Sequence, residues 1–207
     1  MADGGGAARP SAGLRDAIIL FASYLGPTLI IPLYVVDLLG GTPFDAGMVS
    51  FPSTFTAIAV NPVAGMLADK FGVRRVVLVT GTFLVIGSVG CVFVDETTSL
   101  VQLTVFQTIR AAAVSGLIGP ILAYALSGLD ADIVPDGSAS VALLRQAAGS
   151  FGTAIMVFLV TFFLANPLVG EPVAELILGP ALPYQAAFAF SALLAVALLA
   201  FMAARLK

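Results

Sequence analysis

Charged side chains are rare in this sequence, and two places stand out as able to do chemistry. The first is the segment Gly65-Met66-Leu67-Ala68-Asp69-Lys70-Phe71-Gly72-Val73-Arg74-Arg75, in which one acid and three bases lie between two long apolar stretches. The second is Arg110, which stands alone within an apolar stretch. Neighbouring opposite charges can form and break ion pairs, and an isolated arginine can bind an anionic group. Both features indicate recognition or switching chemistry.

The composition excludes several other kinds of site. The sequence has no histidine and a single cysteine, Cys91, so it offers no histidine-based metal site, no Ser-His-Asp triad and no internal disulfide. We find no nucleophile–base pair, no phosphate-binding loop and no basic patch for nucleic acid. The sequence therefore argues against an enzyme and against nucleic-acid binding, and it predicts no cofactor.

The charged segment has the composition of a tight turn at a membrane surface. Gly72 permits a sharp change of direction, and Gly65 allows another backbone to come close. Asp69 is suited to capping a helix or to pairing with a base. Three bases would hold the turn on the cytoplasmic side and are available to Asp69: Lys70, Arg74 and Arg75. The alternative is that the segment only anchors the topology.

The rest of the chain has the pattern of membrane-spanning helices. Of 207 residues, 59% are hydrophobic and 10% are charged, whereas soluble domains carry roughly 25% charged residues. Apolar runs near the ~20 residues that cross a bilayer follow one another, and hydrocarbon favours helices because it offers backbone groups no hydrogen-bond partner. We predict an all-α integral membrane protein with a disordered tail at residues 1–12, a membrane domain at 13–207 and six spans: Ala17–Leu39, Ala46–Leu67, Val76–Val94, Leu100–Leu126, Ala142–Ala165 and Ala181–Ala203.

The distribution of charges predicts how the spans are oriented. With six spans, one side carries all the bases except Arg110: Arg9, Arg15, Lys70, Arg74, Arg75, Arg145, Arg205 and Lys207. The other side carries only acids: Asp37, Asp45, Asp95, Glu96, Glu171 and Glu175. Because bases favour the cytoplasmic side, we expect a multi-pass protein of the cell membrane with both termini and the charged turn in the cytoplasm.

Arg110 is predicted to lie near the middle of the membrane, where a charge is costly and is functional by default. No acid lies inside the six apolar runs except Asp37, near the outer end of the first run. We therefore expect Arg110 to contact an anionic group of a ligand or of a partner chain. The alternative is an arginine satisfied by backbone carbonyls and by Gln107, one helical turn earlier.

Small residues recur four apart near the start of the fifth span, where Ala148 precedes Gly152 and Gly149 precedes Thr153. Such a surface allows two membrane helices to approach closely. Gly149 and Gly152 are therefore predicted helix-packing residues. The alternative is that this surface lets the two packed helices slide along each other.

The charged segment resembles the cytoplasmic loop of the major facilitator superfamily, which reads Gly-x-x-x-Asp-Arg/Lys-x-Gly-Arg-Arg/Lys. Val73 departs from this pattern, and five positions match it: Gly65, Asp69, Lys70, Gly72 and Arg74. The order of Gln107-Thr108-Ile109-Arg110, then Arg145-Gln146, then the glycines of the fifth span is similar to the late spans of the fourteen-span drug:proton antiporters. The resemblance covers about residues 14–165 and implies the C-terminal six-span half of such a carrier.

Carriers of this family are built from two six-span halves with the substrate between them. The resemblance therefore implies a second six-span half as partner, in a homodimer or a heterodimer. It places the first, second, fourth and fifth spans around the cavity, where the available polar residues are Tyr24, Thr28, Tyr34, Gln102, Gln107 and Arg110. Five of them are our candidates for substrate binding: Tyr24, Tyr34, Gln102, Gln107 and Arg110. A largely apolar lining suits amphipathic small molecules. Proton coupling would reside mainly in the partner or use Asp37 at the outer mouth.

These features together predict a drug-efflux-like secondary carrier that acts as one half of a two-half assembly, with protons as the candidate coupling ion. Asp69, together with the three bases of the turn, would form a cytoplasmic gate. Two alternatives stay open: a non-transporting membrane subunit and a truncated fragment of a full-length carrier.

Overall fold

The computed structural model describes residues 8–126, 133–165 and 179–205, which form helices and turns without a strand. Six of the helices are long and apolar enough to cross a membrane, which confirms the predicted all-α fold with six spans. Their bounds are α1 Ala8–Leu33, α2 Pro43–Phe71, α3 Val73–Val92, α4 Leu100–Leu126, α5 Val134–Ala165 and α6 Leu182–Arg205. A π-helical turn at Tyr34–Leu38 continues α1 beyond Pro32.

Several helices extend further than the apolar runs that predict them. The second helix covers Pro43–Phe71, and the fifth begins at Val134 rather than Ala142. The first begins at Ala8, so residues 8–12 of the expected tail are helical, while residues 1–7 lie outside the described residues. Hydropathy marks the thickness of the hydrocarbon layer, and a helix can continue past it with polar residues.

Local sequence fixes where α2 begins. The Thr42 N–H donates to Asp45 Oδ2 at 2.8 Å, and the Asp45 N–H donates back to Thr42 Oγ1 at 3.3 Å. Pro43 occupies the first helical position, where no backbone N–H is needed. This reciprocal cap satisfies two of the backbone donors that a helix start leaves unpaired.

The helices pack as a row with two helices behind it. α2 packs on α4, α4 on α1, and α1 on α5. α3 and α6 pack on each other, with α3 also on α4 and α6 also on α1 and α5. We call the end of the bundle near Gly13, Val73 and Met202 the inner end, since these residues line one small cavity there. The opposite, outer end holds Tyr34 and Asp95.

The two helices at the ends of the row are the least covered. The most apolar part of α2 is 11% buried and that of α5 is 22% buried, against 39–44% for the other four helices. Two apolar clusters form the core, one including Tyr34, Leu103 and Phe188, the other Leu20, Leu84 and Leu198. The row therefore leaves broad apolar surfaces of α2 and α5 without a partner within the described chain.

Candidate functional site

An open groove of about 830 Å³ runs between α1 and α5. Its volume is in the range of about 300–1,000 Å³ that is usual for small-molecule sites. The first helix contributes three residues: Leu25, Thr28 and Leu29. The fifth contributes one face: Gln146, Ser150, Thr153, Ala154, Val157, Phe158 and Thr161. The polar residues of this face were not predicted as site residues. Their spacing of three and four residues along α5 does indicate that they share one face of the helix.

The hydroxyl groups of the groove are oriented by their own helices. Thr28 donates to the Tyr24 carbonyl at 3.1 Å. Ser150, Thr153 and Thr161 donate in the same way to the carbonyl four residues earlier, at 2.9–3.0 Å. Each proton is thus used inside a helix, and the oxygen lone pairs are what the hydroxyls offer to a ligand.

Arg110 lies inside the bundle with 0% of its surface exposed. Its Nε donates to Ser88 Oγ at 3.1 Å, and its Nη1 donates to Gln107 Oε1 at 3.3 Å. Its Nη2 donates to the Ser23 carbonyl oxygen and to Ser191 Oγ, each at 3.1 Å. One guanidinium therefore links α1, α3, α4 and α6.

All four partners of Arg110 are neutral, and no carboxylate of the described residues forms an ion pair with it. A buried charge is tolerated when its protons are hydrogen-bonded. The backbone leaves room for it, because a Cβ at Gly87 would lie 2.6 Å from Arg110 Cγ. Arg110 thus has the partners named in the alternative interpretation of the sequence, namely a backbone carbonyl and Gln107. A contact between Arg110 and a ligand or partner chain stays a prediction.

The other predicted substrate-binding residues lie in separate surroundings. Gln107 is 2% exposed and belongs to the Arg110 cluster. Tyr34 is fully buried, and its hydroxyl donates to the Asp95 carbonyl. Tyr24 is half-buried against the apolar core, and Gln102 is exposed near the outer end of α4. The α1–α5 groove does not include these residues among its lining.

The π-helical turn is fastened at the outer end of the bundle. The Tyr34 ring packs edge-on against Tyr184, with ring centroids 5.5 Å apart. The Tyr184 hydroxyl donates to Asp37 Oδ2 at 3.4 Å, and Gln185 Nε2 donates to the Val94 carbonyl at 2.9 Å. The outer ends of α1, α3 and α6 are therefore tied together by polar contacts.

The cytoplasmic turn predicted from the charged segment is shorter than expected. Gly72 alone separates α2 from α3, and its φ of +86° is a conformation that favours glycine. Asp69 and Lys70 lie in the last turn of α2, while Arg74 and Arg75 lie in the first turn of α3. All four side chains are exposed.

Three expectations about this turn are not met in the described conformation. No side chain caps the start of α3, because Asp69 belongs to the end of the preceding helix. Nor does Asp69 form an ion pair within 4 Å in the part of the chain that the structure describes. Gly65 has no other group within 4 Å of the position of a Cβ, so its close approach by another backbone is absent there too.

Gly149 and Gly152 lie where α5 crosses α1. A Cβ at Gly152 would overlap the Ala22 backbone and lie 2.7 Å from its Cα. A Cβ at Gly149 would lie 3.0 Å from Leu25 Cγ. These glycines let the two helices that line the groove meet without intervening side chains.

The structure places two charged residues where the sequence interpretation did not. Asp16 is 5% exposed and belongs to the first membrane-spanning helix, Gly13–Leu38, which begins before the apolar run. It lies just before the apolar run and next to Arg15, whose Nε is 3.8 Å from its Oδ1. Arg145, predicted as a topology anchor, lies well inside α5, with its guanidinium carbon 4.4 Å above the Phe21 ring.

Comparison with known proteins agrees with this architecture. The profile of the Major Facilitator Superfamily matches residues 17–207. The uncharacterized MFS-type transporter YcnB of Bacillus subtilis is 27% identical over 139 residues, which are 67% of this chain and 29% of YcnB. The lincomycin resistance protein LmrB of Listeria innocua is 28% identical over 145 residues, 70% of this chain and 31% of LmrB. The multidrug export protein EmrB of Haemophilus influenzae is 29% identical over 152 residues, 72% of this chain and 29% of EmrB.

The matched region thus spans about three-tenths of the length of these relatives. The family profile covers most of the chain and overlaps all six long apolar helices. The chain belongs to the Major Facilitator Superfamily.

Proposed function

We propose that this chain is one six-span half of a secondary carrier that moves small amphipathic molecules across the cell membrane. Its relatives include proteins named for multidrug export and lincomycin resistance. The groove between α1 and α5 is the proposed wall of the substrate cavity. Its mixture of apolar side chains and a few polar groups supports an amphipathic substrate.

The observation that carries this proposal is the uncovered surface of the helix row. Large aromatic side chains point away from the bundle on both end helices, with Phe55 of α2 59% exposed and Phe158 of α5 63% exposed. Phe158 also lines the groove. A second six-span half facing the row would bury these surfaces and close the groove into a central cavity.

The orientation in the membrane follows from the charges at the two ends. Arg15, Arg74 and Arg75 lie at the inner end, whereas Asp37 and Asp95 lie at the outer end. Because bases favour the cytoplasm, we place the inner end, and with it both termini, on the cytoplasmic side. Of the other charges used for this argument, Glu171, Glu175 and Lys207 lie outside the described residues.

The turn at Gly72 is the proposed cytoplasmic gate. The first turn of α3 carries Arg74 and Arg75 and no acid, although the positive end of a helix dipole favours an anion there. Asp69, on the preceding helical turn, is the nearest acid in the sequence. We propose that Asp69 pairs with these bases or with Lys70 in a second packing of the helices, so that the ion pairs favour one of the two accessible states.

The buried residues predicted to bind substrate take part in this scheme after a rearrangement. Arg110, Gln107 and Tyr34 are sealed in the described packing, and a tilt of α4 or of the π-helical turn would have to precede any contact with substrate. Tyr24 and Gln102 retain exposed surface. They are the predicted residues that a ligand would meet without such a change.

Mass analysis after crosslinking tests the two-half assembly. Cys91 is 1% exposed, so it should react slowly and an introduced surface cysteine reports its own contacts. A Phe158→Cys variant, labelled in native membranes with a short bifunctional crosslinker, should be captured with a second six-span chain. The matched control is Leu193→Cys, which is 68% exposed on α6 behind the row.

The masses of the crosslinked products distinguish a two-half assembly from its alternatives. Capture through position 158 and not through position 193 supports a second half against the row. Equal capture at both positions, or a monomer at both, contradicts the assembly. A single longer polypeptide that contains this chain would place the second half on the same protein and overturn the two-chain form of the proposal.

A further inference from the structure

The pair Arg145 and Phe21 lies at the inner end of the α1–α5 groove. Arg145 immediately precedes Gln146, the innermost lining residue of α5, and Phe21 lies one turn before Leu25, the innermost lining residue of α1. The two helices run parallel, since Gly152 faces Ala22 and Met156 faces Gly26. The stacked guanidinium and ring therefore lie just beyond the inner end of the groove, where both also line a smaller cavity between α1, α4 and α5.

Arg145 differs from Arg110, the fully buried arginine of α4. Arg110 uses four N–H groups on protein acceptors. Within the described chain Arg145 makes no hydrogen bond or ion pair, and its Nε is buried without an acceptor. The face of Phe21 attracts the guanidinium, but it supplies no hydrogen-bond acceptor of the strength a carboxylate offers. The positive charge of Arg145 is thus uncompensated at this level of the span.

The rest of the groove does not provide the missing negative charge. The ten residues that line it include neither Asp nor Glu. Its hydroxyl protons are committed to helix carbonyls, so the hydroxyls present lone pairs that can accept hydrogen bonds from the body of a ligand, but they carry no formal charge. A bound organic cation would meet Arg145 beside the inner end of the groove and no acid along the wall, whereas an anion would find a charge-assisted partner there.

We infer that the groove takes an amphipathic anion, with a carboxylate, sulfonate or phosphate at Arg145 and an apolar body along α1 and α5. This rests on the proposed function, since it treats the groove as the substrate wall. A small molecule fits the wall better than a phospholipid chain, because Thr28, Ser150, Thr153 and Thr161 interrupt the apolar surface along the length of the groove. The substrate class is thereby narrowed from amphipathic molecules in general to acidic ones.

A pair of fluorescent probes with one common body tests the charge. The full chain in phosphatidylcholine nanodiscs is titrated with 1-anilinonaphthalene-8-sulfonate and with neutral N-phenyl-1-naphthylamine, and the signal of empty nanodiscs is subtracted. In Arg145→Gln we expect the sulfonate to bind at least about tenfold more weakly, because a hydrogen-bonded charge partner is lost, while the neutral probe is unchanged. Arg15→Gln is the matched control, since Arg15 also stacks on a phenylalanine, 4.0 Å from the Phe201 ring, but away from the groove.

Three results would overturn the inference. One is sulfonate binding that is equal in the wild type and in Arg145→Gln, and another is an equal loss for both probes. The third is a loss of Arg145-dependent sulfonate binding when phosphatidylglycerol is added to the nanodiscs, because the site would then hold a lipid headgroup. These outcomes leave the crosslinking result at position 158 untouched, so failure of the charge assignment is distinct from failure of the two-half assembly.

A measurement on the wild type keeps the inference testable if the variant does not fold. Decanoate and decanol have the same chain and differ in charge. We expect decanoate to displace the sulfonate probe at a concentration at least about tenfold lower than decanol. Equal displacement by the acid and the alcohol would contradict an anion site at the inner end of the groove.

Discussion

The Nη2 atom of Arg110 lies 3.1 Å from the backbone carbonyl oxygen of Ser23, 87 residues earlier in the chain. The same oxygen accepts a second hydrogen bond, at 2.6 Å, from the hydroxyl of Ser191. The Ser23 side chain in turn donates to the Leu20 carbonyl at 2.8 Å. A single carbonyl of α1 thus connects α4 and α6 in the interior of the bundle, and Arg110 acts as the link between them.

Arg110→Ala should destabilise the six-helix unit. The substitution removes four hydrogen bonds and leaves a cavity at a site with no exposed surface, and changes of this kind cost about 2–5 kcal/mol. Unfolding of the purified chain in mixed micelles, followed by circular dichroism, measures the loss. Gln102→Ala, an exposed position on the same helix, should stay close to the wild type. Wild-type stability in Arg110→Ala would show that the link is dispensable. Intact assembly and transport in that variant would end the hypothesis of a ligand contact.

Gly152→Ala should force α1 and α5 apart. The added Cβ would overlap the Ala22 backbone, and such overpacking costs about 1–3 kcal/mol. Gly47→Ala is the matched control, because a Cβ there meets no other group within 4 Å and α2 should gain slightly from the better helix former. The same unfolding measurement compares the two variants. A Gly152→Ala protein that is as stable as Gly47→Ala would mean that the crossing adjusts without strain.

The fold could be predicted from the sequence because a segment that crosses the hydrocarbon layer must be apolar, about 20 residues long and helical. Each long apolar run became a helix, and Gly72 became the sharp turn between two of them. The ends of the helices were less predictable, since α5 begins at Val134, where the sequence is already polar. Hydropathy reports where lipid is, and capping and turn chemistry decide where a helix ends.

The candidate site was harder to predict because it depends on side chains far apart in sequence. Arg110 was recognised as costly, but its acceptors Ser23, Ser88 and Ser191 come from three other helices. Arg145 looked like a topology anchor because it lies at the edge of an apolar run. Only its stacking on Phe21 shows that it turns toward α1, beside the inner end of the groove. The sequence shows which charged side chains are present, but only the packing of the helices determines which of them have a hydrogen-bond or ion-pair partner.

Acid should loosen the outer turn between α3 and α4. Asp95 Oδ1 accepts from the Thr97 N–H at 2.9 Å, the Thr97 hydroxyl at 2.7 Å and the Thr98 hydroxyl at 3.2 Å. These bonds, chiefly those from Thr97, lower the pKa of Asp95 below its ordinary value of 3.8. Because the pKa of Asp95 is lower in the folded than in the unfolded chain, its ionised carboxylate stabilises the fold at any pH above the unfolded pKa. This stabilisation is lost as the pH falls through the folded-state pKa.

Melting curves of the wild type and of Asp95→Asn in nanodiscs, taken between about pH 6 and about pH 3, check this sign. The wild type should lose more thermal stability on acidification than Asp95→Asn, which cannot titrate at this position. Glu96→Gln removes the neighbouring carboxylate, which is exposed, and should keep the acid dependence of the wild type. An identical pH profile for the wild type and Asp95→Asn would show that this turn does not contribute.

Asp69→Asn should slow transport while the protein still inserts into the membrane. The change keeps the size of the side chain and removes the charge that would pair with Lys70, Arg74 or Arg75 in the second packing, so the state held by those ion pairs becomes less populated. A loss of about 1 kcal/mol, typical of an exposed ion pair, corresponds to a several-fold lower rate. Uptake of 1-anilinonaphthalene-8-sulfonate into everted membrane vesicles, at matched protein levels, measures the flux. Asp136→Asn, an exposed acid at the start of α5, is the matched control for charge removal at the same end of the bundle. If Asp69→Asn vesicles transport as fast as those of Asp136→Asn, the carboxylate of Asp69 has no part in the gate, and Gly72 with its flanking bases would remain a turn that anchors the topology.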